Sequence, residues 1–337
     1  MNVHKLTKIR EKLRELPCTP GPLTRNGHTQ TILGHLLKPD SETATAIGEG
    51  ERIEIPVSDG DRLVARYIAG SGNGVLYLFH GLGSDITAGY IRRTAATGKK
   101  LGCEIYLVNH RGCGEGKGLA GKPYHSGRAA DLGAAIAYGR KKHPDKKHIA
   151  AGFSLSANAL LLLVSGKWGG ALPDLAIAVN APIHLENASK LLQNGLNKIY
   201  DYRFAIECRA DILGRQKLGL TGSEKYNFPL TMNLREFDRI YTGPASGYGT
   251  RENYYASCSA GPFLEHTQVP TVLMTAKDDP FIDYQDYVRT KHSENIVFHL
   301  EEFGGHLGYL NEKPTPLGTR RWLDYAMFEY LNAVIHT

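Results

Sequence analysis

Three residues whose types could work together stand far apart in the chain. Ser154 lies in HIAAGFSLSANALLLLV (148–164), Asp279 in KDDPF (277–281) and His306 in FGGHLGY (303–309). A serine hydroxyl becomes a nucleophile when an imidazole takes its proton. A carboxylate then fixes the imidazole tautomer and stabilises the imidazolium. Each candidate follows an apolar run that reads as a strand, and the order Ser, Asp, His suits nucleophiles mounted on a strand–turn–helix elbow. Such an elbow needs small residues on either side of the serine. Ser154 has Gly152 two residues before it and Ser156 two residues after. Ser156 as nucleophile would have Asn158 at the second position, inside the helix start, where no elbow can form. The sequence therefore favours Ser154, with Ser156 small enough for the packing position and able to cap the helix N-terminus.

The acid and the oxyanion donors follow from the same logic. Asp279 stands beside Pro280 at the turn and is the preferred carboxylate, with Asp278 as the alternative. A developing oxyanion needs backbone donors. The expected ones are the N–H of Leu155, after the nucleophile, and of Leu82 in HGLGS (80–84). His80 in that loop is expected to support the turn.

The elements that must position these residues alternate. Eight candidate strands cover 52–58, 62–70, 75–79, 104–109, 148–153, 175–181, 271–276 and 296–302. The later ones are continuous apolar runs, as parallel strands covered on both faces require. Helical patterns fall near 86–100, 125–141, 156–166, 284–292 and 317–335, and Asp59-Gly60 signals a hairpin. The expectation is an α/β protein: a mostly parallel eight-stranded sheet with helices on both faces. The alternation lapses over 183–268, read as a helical cap inserted into a core of 51–182 and 269–337. Residues 1–50 are expected to form an N-terminal helix and an extended segment.

Composition narrows the classes. The 337 residues carry a net charge of +6 with no dense basic stripe, which argues against nucleic acid as a partner. Five cysteines without a CxxC pair read as reduced thiols. No metal is expected, because His110, His125, His143 and His148 lack ligand spacing, and no cofactor motif is complete: RGCGEGKG (111–118) has Arg111 where a phosphate loop needs glycine. No run reaches the roughly 20 apolar residues of a bilayer span, and the N-terminus has no signal-peptide core. A cytoplasmic location is expected. Leu6, Ile9, Leu13 and Leu16 share one face of the first helix. That face is expected to pack on the body, with peripheral membrane contact as the other use. Cap aromatics such as Tyr200, Tyr202, Phe204, Tyr254, Tyr255 and Phe263 are expected to form the cap's own core or an acyl pocket.

Beyond these readings the chain resembles the YheT-type α/β hydrolases, which are related to eukaryotic membrane-anchored phospholipase-like proteins. The likeness is carried by NGHTQTI (26–32), HGLGSD (80–85), NHRGCG (109–114), YHSGRAADL (124–132), GFSLSAN (152–158), REFDRIYTGPASGYGTRENYY (235–255), KDDPF (277–281) and GGHLGY (304–309). It implies an α/β-hydrolase fold and a serine hydrolase whose triad matches Ser154, Asp279 and His306, acting on carboxylic esters, including those of lipids. Acyl transfer at the same site, or a lapsed enzyme used as a binding module, are the alternatives. The chain departs from the family at the elbow, where Ser156-Ala157 replaces the usual Gly-Gly.

Overall fold

The computed structural model describes residues 3–37, 50–221 and 225–335. All eight expected strands form: β1 Glu51–Pro56, β2 Arg62–Ile68, β3 Gly74–Phe79, β4 Glu104–Asn109, β5 Lys147–Phe153, β6 Leu175–Val179, β7 Thr271–Ala276 and β8 Ile296–Glu301. They make one sheet in the order β1-β2-β4-β3-β5-β6-β7-β8. The β1–β2 and β2–β4 pairs are antiparallel, and every later pair is parallel. Gly60, at φ +87°, closes the β1–β2 hairpin where Asp59-Gly60 forecast it.

Apolar side chains alternate between two faces. Leu76 and Leu78 enter one core, while Val75, Tyr77 and Phe79 enter the other. The first core is covered by α1 (Val3–Glu15), α3 (Gly89–Lys100) and α10 (Trp322–Ile335), the second by α4 (Ala129–Lys142) and α5 (Leu155–Val164). Leu6 and Leu13 of α1 are fully buried, so that helix spends its apolar face on the body. Every residue of α5 after Leu155 is buried, which explains a helix apolar all round.

The N-terminal segment differs from expectation. A second helix, α2 (Gly27–Leu36), forms where extended chain was anticipated. Its Thr, Ile and Gly content gives weak helix propensity. Asn26 caps it by accepting from the His28 N–H at 2.9 Å, and its buried face packs on the β8–α10 loop. Between β6 and β7 the described residues form helices, chiefly α6 (Leu185–Leu192), α7 (Asn197–Lys217) and α8 (Arg251–Cys258); α9 (Tyr284–Arg289) follows β7.

Arg111, just after β4, ties several of these pieces together. Only 2% exposed, it donates to Asp131 of α4 at 2.6 and 2.7 Å and to Asp59 and Asp61 of the hairpin at 2.8 and 2.6 Å. Arg215 of α7 donates to its carbonyl at 3.0 Å. Breaking a buried pair from one side strands the other charge, at a cost of about 3–5 kcal/mol. Arg111→Met is therefore expected to lower unfolding free energy by about that much in urea titrations; an unchanged midpoint would contradict this role.

Candidate active site

The chain turns from β5 into α5 at Ser154. Ser154 has φ 56° and ψ −121°, a left-handed conformation that costs an ordinary residue about 1–3 kcal/mol. Its N–H is held by the Val179 carbonyl of β6 at 2.9 Å. Strand and helix approach so closely that a Cβ on Gly152 would sit 2.7 Å from the Ser156 carbonyl oxygen. Ser156 does not cap the helix. Side chains on a helix lean toward its N-terminus, and this one reaches back to the strand ends. Its Oγ lies 2.7 Å from the Phe79 carbonyl and 3.0 Å from the Phe153 carbonyl, and accepts from the Phe153 N–H at 3.1 Å.

The three dispersed candidates meet at the carboxyl ends of β5, β7 and β8. His306 Nε2 is 2.9 Å from Ser154 Oγ, and His306 Nδ1 is 2.8 Å from Asp279 Oδ2. Asp279 Oδ2 also accepts from Asn180 Nδ2 at 2.6 Å, while Oδ1 accepts from the N–H groups of Phe281 and Ile282 at 2.8 and 3.2 Å. These donors aim the carboxylate at the imidazole. Asp278 points elsewhere: its Oδ1 accepts from the N–H groups of Gly304 and Gly305, both at 2.8 Å. Burial holds its carboxyl above the usual range.

Leu82 and Leu155 line the same cavity as Ser154 and His306. Gly81 packs against the serine, and a Cβ built on it would lie 3.1 Å from the Ser154 Cβ. Its N–H donates to the Tyr90 hydroxyl at 2.9 Å, and its carbonyl accepts from the Tyr124 hydroxyl at 3.1 Å. His80 is fully buried, with Nδ1 at 2.9 Å from the Gly81 carbonyl and Nε2 accepting from the His110 N–H at 3.2 Å. Burial depresses its pKa to about 4, so the ring is neutral at pH 7 and braces the loop.

The cavity encloses about 110 Å³. Its walls are mostly apolar, among them Leu185, Leu192, Phe204, Leu234 and Phe281, with Tyr254 and Tyr255 also facing in. Of the other aromatics of the 183–268 segment, Tyr202 is exposed, Tyr200 and Phe263 pack beside the second core. One ionisable wall group is Asp238, which accepts from the Tyr255 hydroxyl at 2.7 Å. Sequence reasoning missed Asn180, whose left-handed φ of 51° turns its amide toward Asp279. Its one signal was a lone polar residue near the end of the apolar run 175–181.

An elbow serine on an eight-stranded, mostly parallel sheet, with an imidazole and a carboxylate from later strand ends, defines an α/β hydrolase. The fold is similar to that of a Pyrococcus furiosus esterase, at a TM-score of 0.57 and 16% identity over 88% of this chain and 98% of that one. No family model matches the chain. It is 28% identical to YheT of Escherichia coli (strain K12) over 92% of its own length and 91% of that protein. It is 25% identical to phospholipase ABHD3 of Homo sapiens over 78% of this chain and 64% of that one. Against the medium-chain fatty acid ethyl ester synthase/esterase 2 of Saccharomyces cerevisiae it is 24% identical, over 74% of this chain and 61% of that one. In sequence the chain is similar to the YheT-type α/β hydrolases.

Two outcomes follow from this geometry. Ser156→Ala removes one buried hydroxyl but leaves the elbow backbone intact, so fluorophosphonate labelling is expected to persist while stability falls by about 1–3 kcal/mol. Loss of labelling in a folded variant would contradict it. Burial pushes the Asp238 carboxyl up to about 6, above the unfolded value of about 4. The folded chain thus keeps a proton that the unfolded chain releases, and the wild type loses stability relative to Asp238→Asn as pH rises from about 4 to 6. A melting-temperature difference constant across that window would contradict the assignment.

Proposed function

We propose that the protein is a serine hydrolase of carboxylic esters that works through a covalent acyl-enzyme. The observation that carries this reading is the continuous hydrogen-bonded line Ser154–His306–Asp279, at 2.9 and 2.8 Å, ending on a strained elbow serine. Ser154 Oγ attacks the ester carbonyl carbon as His306 Nε2 takes its proton. Asp279 accepts from His306 Nδ1–H and stabilises the imidazolium. The N–H groups of Leu82 and Leu155 receive the oxyanion, and Leu155 opens α5, whose N-terminal dipole favours negative charge. Collapse expels the alcohol, which takes the proton from His306. Water, activated by the same imidazole, then releases the acid and restores the serine.

The apolar walls favour an acyl chain over a charged one, and the helices of 183–268 act as the cap that shelters it from water. The names of relatives, a phospholipase and an ester synthase/esterase, support ester substrates, lipid esters among them. The second of these names also supports transfer of the acyl group to an alcohol in place of water.

With p-nitrophenyl esters of graded chain length, Ser154→Ala is expected to remove turnover. Asp279→Asn is expected to lower kcat by about 10³–10⁴-fold by leaving the imidazole in the wrong tautomer. Asp278→Asn, which keeps an acceptor for the two glycine N–H groups, should retain most of the activity. The reverse ranking of the two aspartates would overturn the assignment of the acid.

A further inference from the structure

The loop that carries His306 is fixed partly by its own hydrogen bonds and partly from outside. Gly305, Leu307 and Tyr309 all have positive φ, at 54°, 65° and 45°, and two of them are not glycine. Alternating left-handed residues persist only where the surroundings fix them. Inside the loop, the N–H groups of Gly308 and Tyr309 reach the Gly304 carbonyl at 3.0 and 2.8 Å. The N–H of His306 itself donates to Thr31 Oγ1 at 2.9 Å, across 275 residues of sequence. The Thr31 hydroxyl donates onward to the Gly27 carbonyl at 2.6 Å. Gln30, fully buried, grips the far end of the loop with both atoms of its amide: Oε1 accepts from the Leu310 N–H at 2.6 Å, and Nε2 donates to the Leu310 carbonyl at 3.0 Å.

Shape matches the hydrogen bonds. Residues 27, 30, 31 and 34 share one face of α2. A Cβ on Gly34 would come within 2.6 Å of the Gly308 Cα, and one on Gly27 within 1.7 Å of the Asp278 carbonyl oxygen. The helix backbone thus lies directly on the loop backbone. The outer side of α2 is different, with Ile32 and Leu36 exposed.

We infer that two residues on the inner face of α2, Thr31 and Gln30, are positioning residues that set the place of the His306 imidazole between Ser154 and Asp279. This rests on the serine-hydrolase reading, and it gives the NGHTQTI stretch a task that the triad does not supply. Neither residue touches the substrate. Thr31 fixes the main chain at the residue that moves the proton, and Gln30 fixes where the loop leaves.

The test compares Thr31→Val, Thr31→Ser and Ile32→Ser in the full chain, each checked for folding by circular dichroism. A misplacement of about 1 Å can cost about 10²-fold in rate. Thr31→Val is therefore expected to lower kcat and the rate of fluorophosphonate labelling by about that factor with KM nearly unchanged. The low-field proton resonance of His306 Nδ1–H should shift with it. Thr31→Ser, which restores the acceptor, should recover the rate, and Ile32→Ser on the outer face should match wild type. Should Thr31→Val fail to fold, the same comparison is made with Thr31→Ala against Thr31→Ser. A folded valine or alanine variant with wild-type kcat and an unshifted resonance would overturn the inference. So would equal losses in the serine and valine variants. If the wild type itself resists labelling, it is the hydrolase reading that fails, and the resonance still reports whether Thr31 places the ring.

Discussion

The close approach of β5 and α5 is the constraint on which the site depends. With 2.7 Å between a would-be Gly152 Cβ and the Ser156 carbonyl, no side chain fits at residue 152, and the chain must reverse through one left-handed residue. That residue is Ser154. The strain lifts its hydroxyl clear of both elements and leaves the first N–H groups of α5 beside it. The turn is kept by its neighbours: the Val179 carbonyl holds the serine N–H, and the Ser156 hydroxyl links the turn to the end of β3. The usual second glycine of the elbow is thereby replaced by a hydroxyl that occupies the packing position and adds a tie to the end of β3.

The partners of the serine are aimed in the same manner, by polar atoms outside the reacting groups. Asp279 is oriented by Asn180 and two backbone N–H groups, His306 by Thr31, and the Gly81 peptide by two tyrosine hydroxyls and His80. These supports are buried or half-buried, where a hydrogen bond is electrostatically stronger and an unmade one more costly. The reacting atoms come from three loops, yet the loops rest on one rigid sheet and on α2.

Much of this was legible in the sequence. The strands were, because β3, β4, β6 and β7 are buried along their whole length and so read as unbroken apolar runs. Ser154 and His306 were, because glycines and flanking strands mark them. The preference for Asp279 over Asp278 rested on Pro280 alone, since adjacent residues at one strand end differ only in how the turn rotates them, and it is Asp279 that meets His306. Helix α2 was not legible. Its inner face is Gly27, Gln30, Thr31 and the half-buried Gly34, made to meet a backbone, and it carries no apolar stripe for periodicity to detect. The role of Ser156 escaped for a related reason: a hydroxyl aimed at a strand carbonyl cannot be told from one aimed at a helix end until the turn is built.

The central claim is that one residue, Ser154, carries the acyl group. The most direct measurement is to quench the wild-type protein during the pre-steady-state burst with an activated medium-chain ester and map the acylated peptide by mass spectrometry. The account predicts the acyl mass on Ser154 within the peptide that spans β5 and α5. An adduct on Ser156 or on any cysteine, or turnover with no covalent adduct at all, would contradict it.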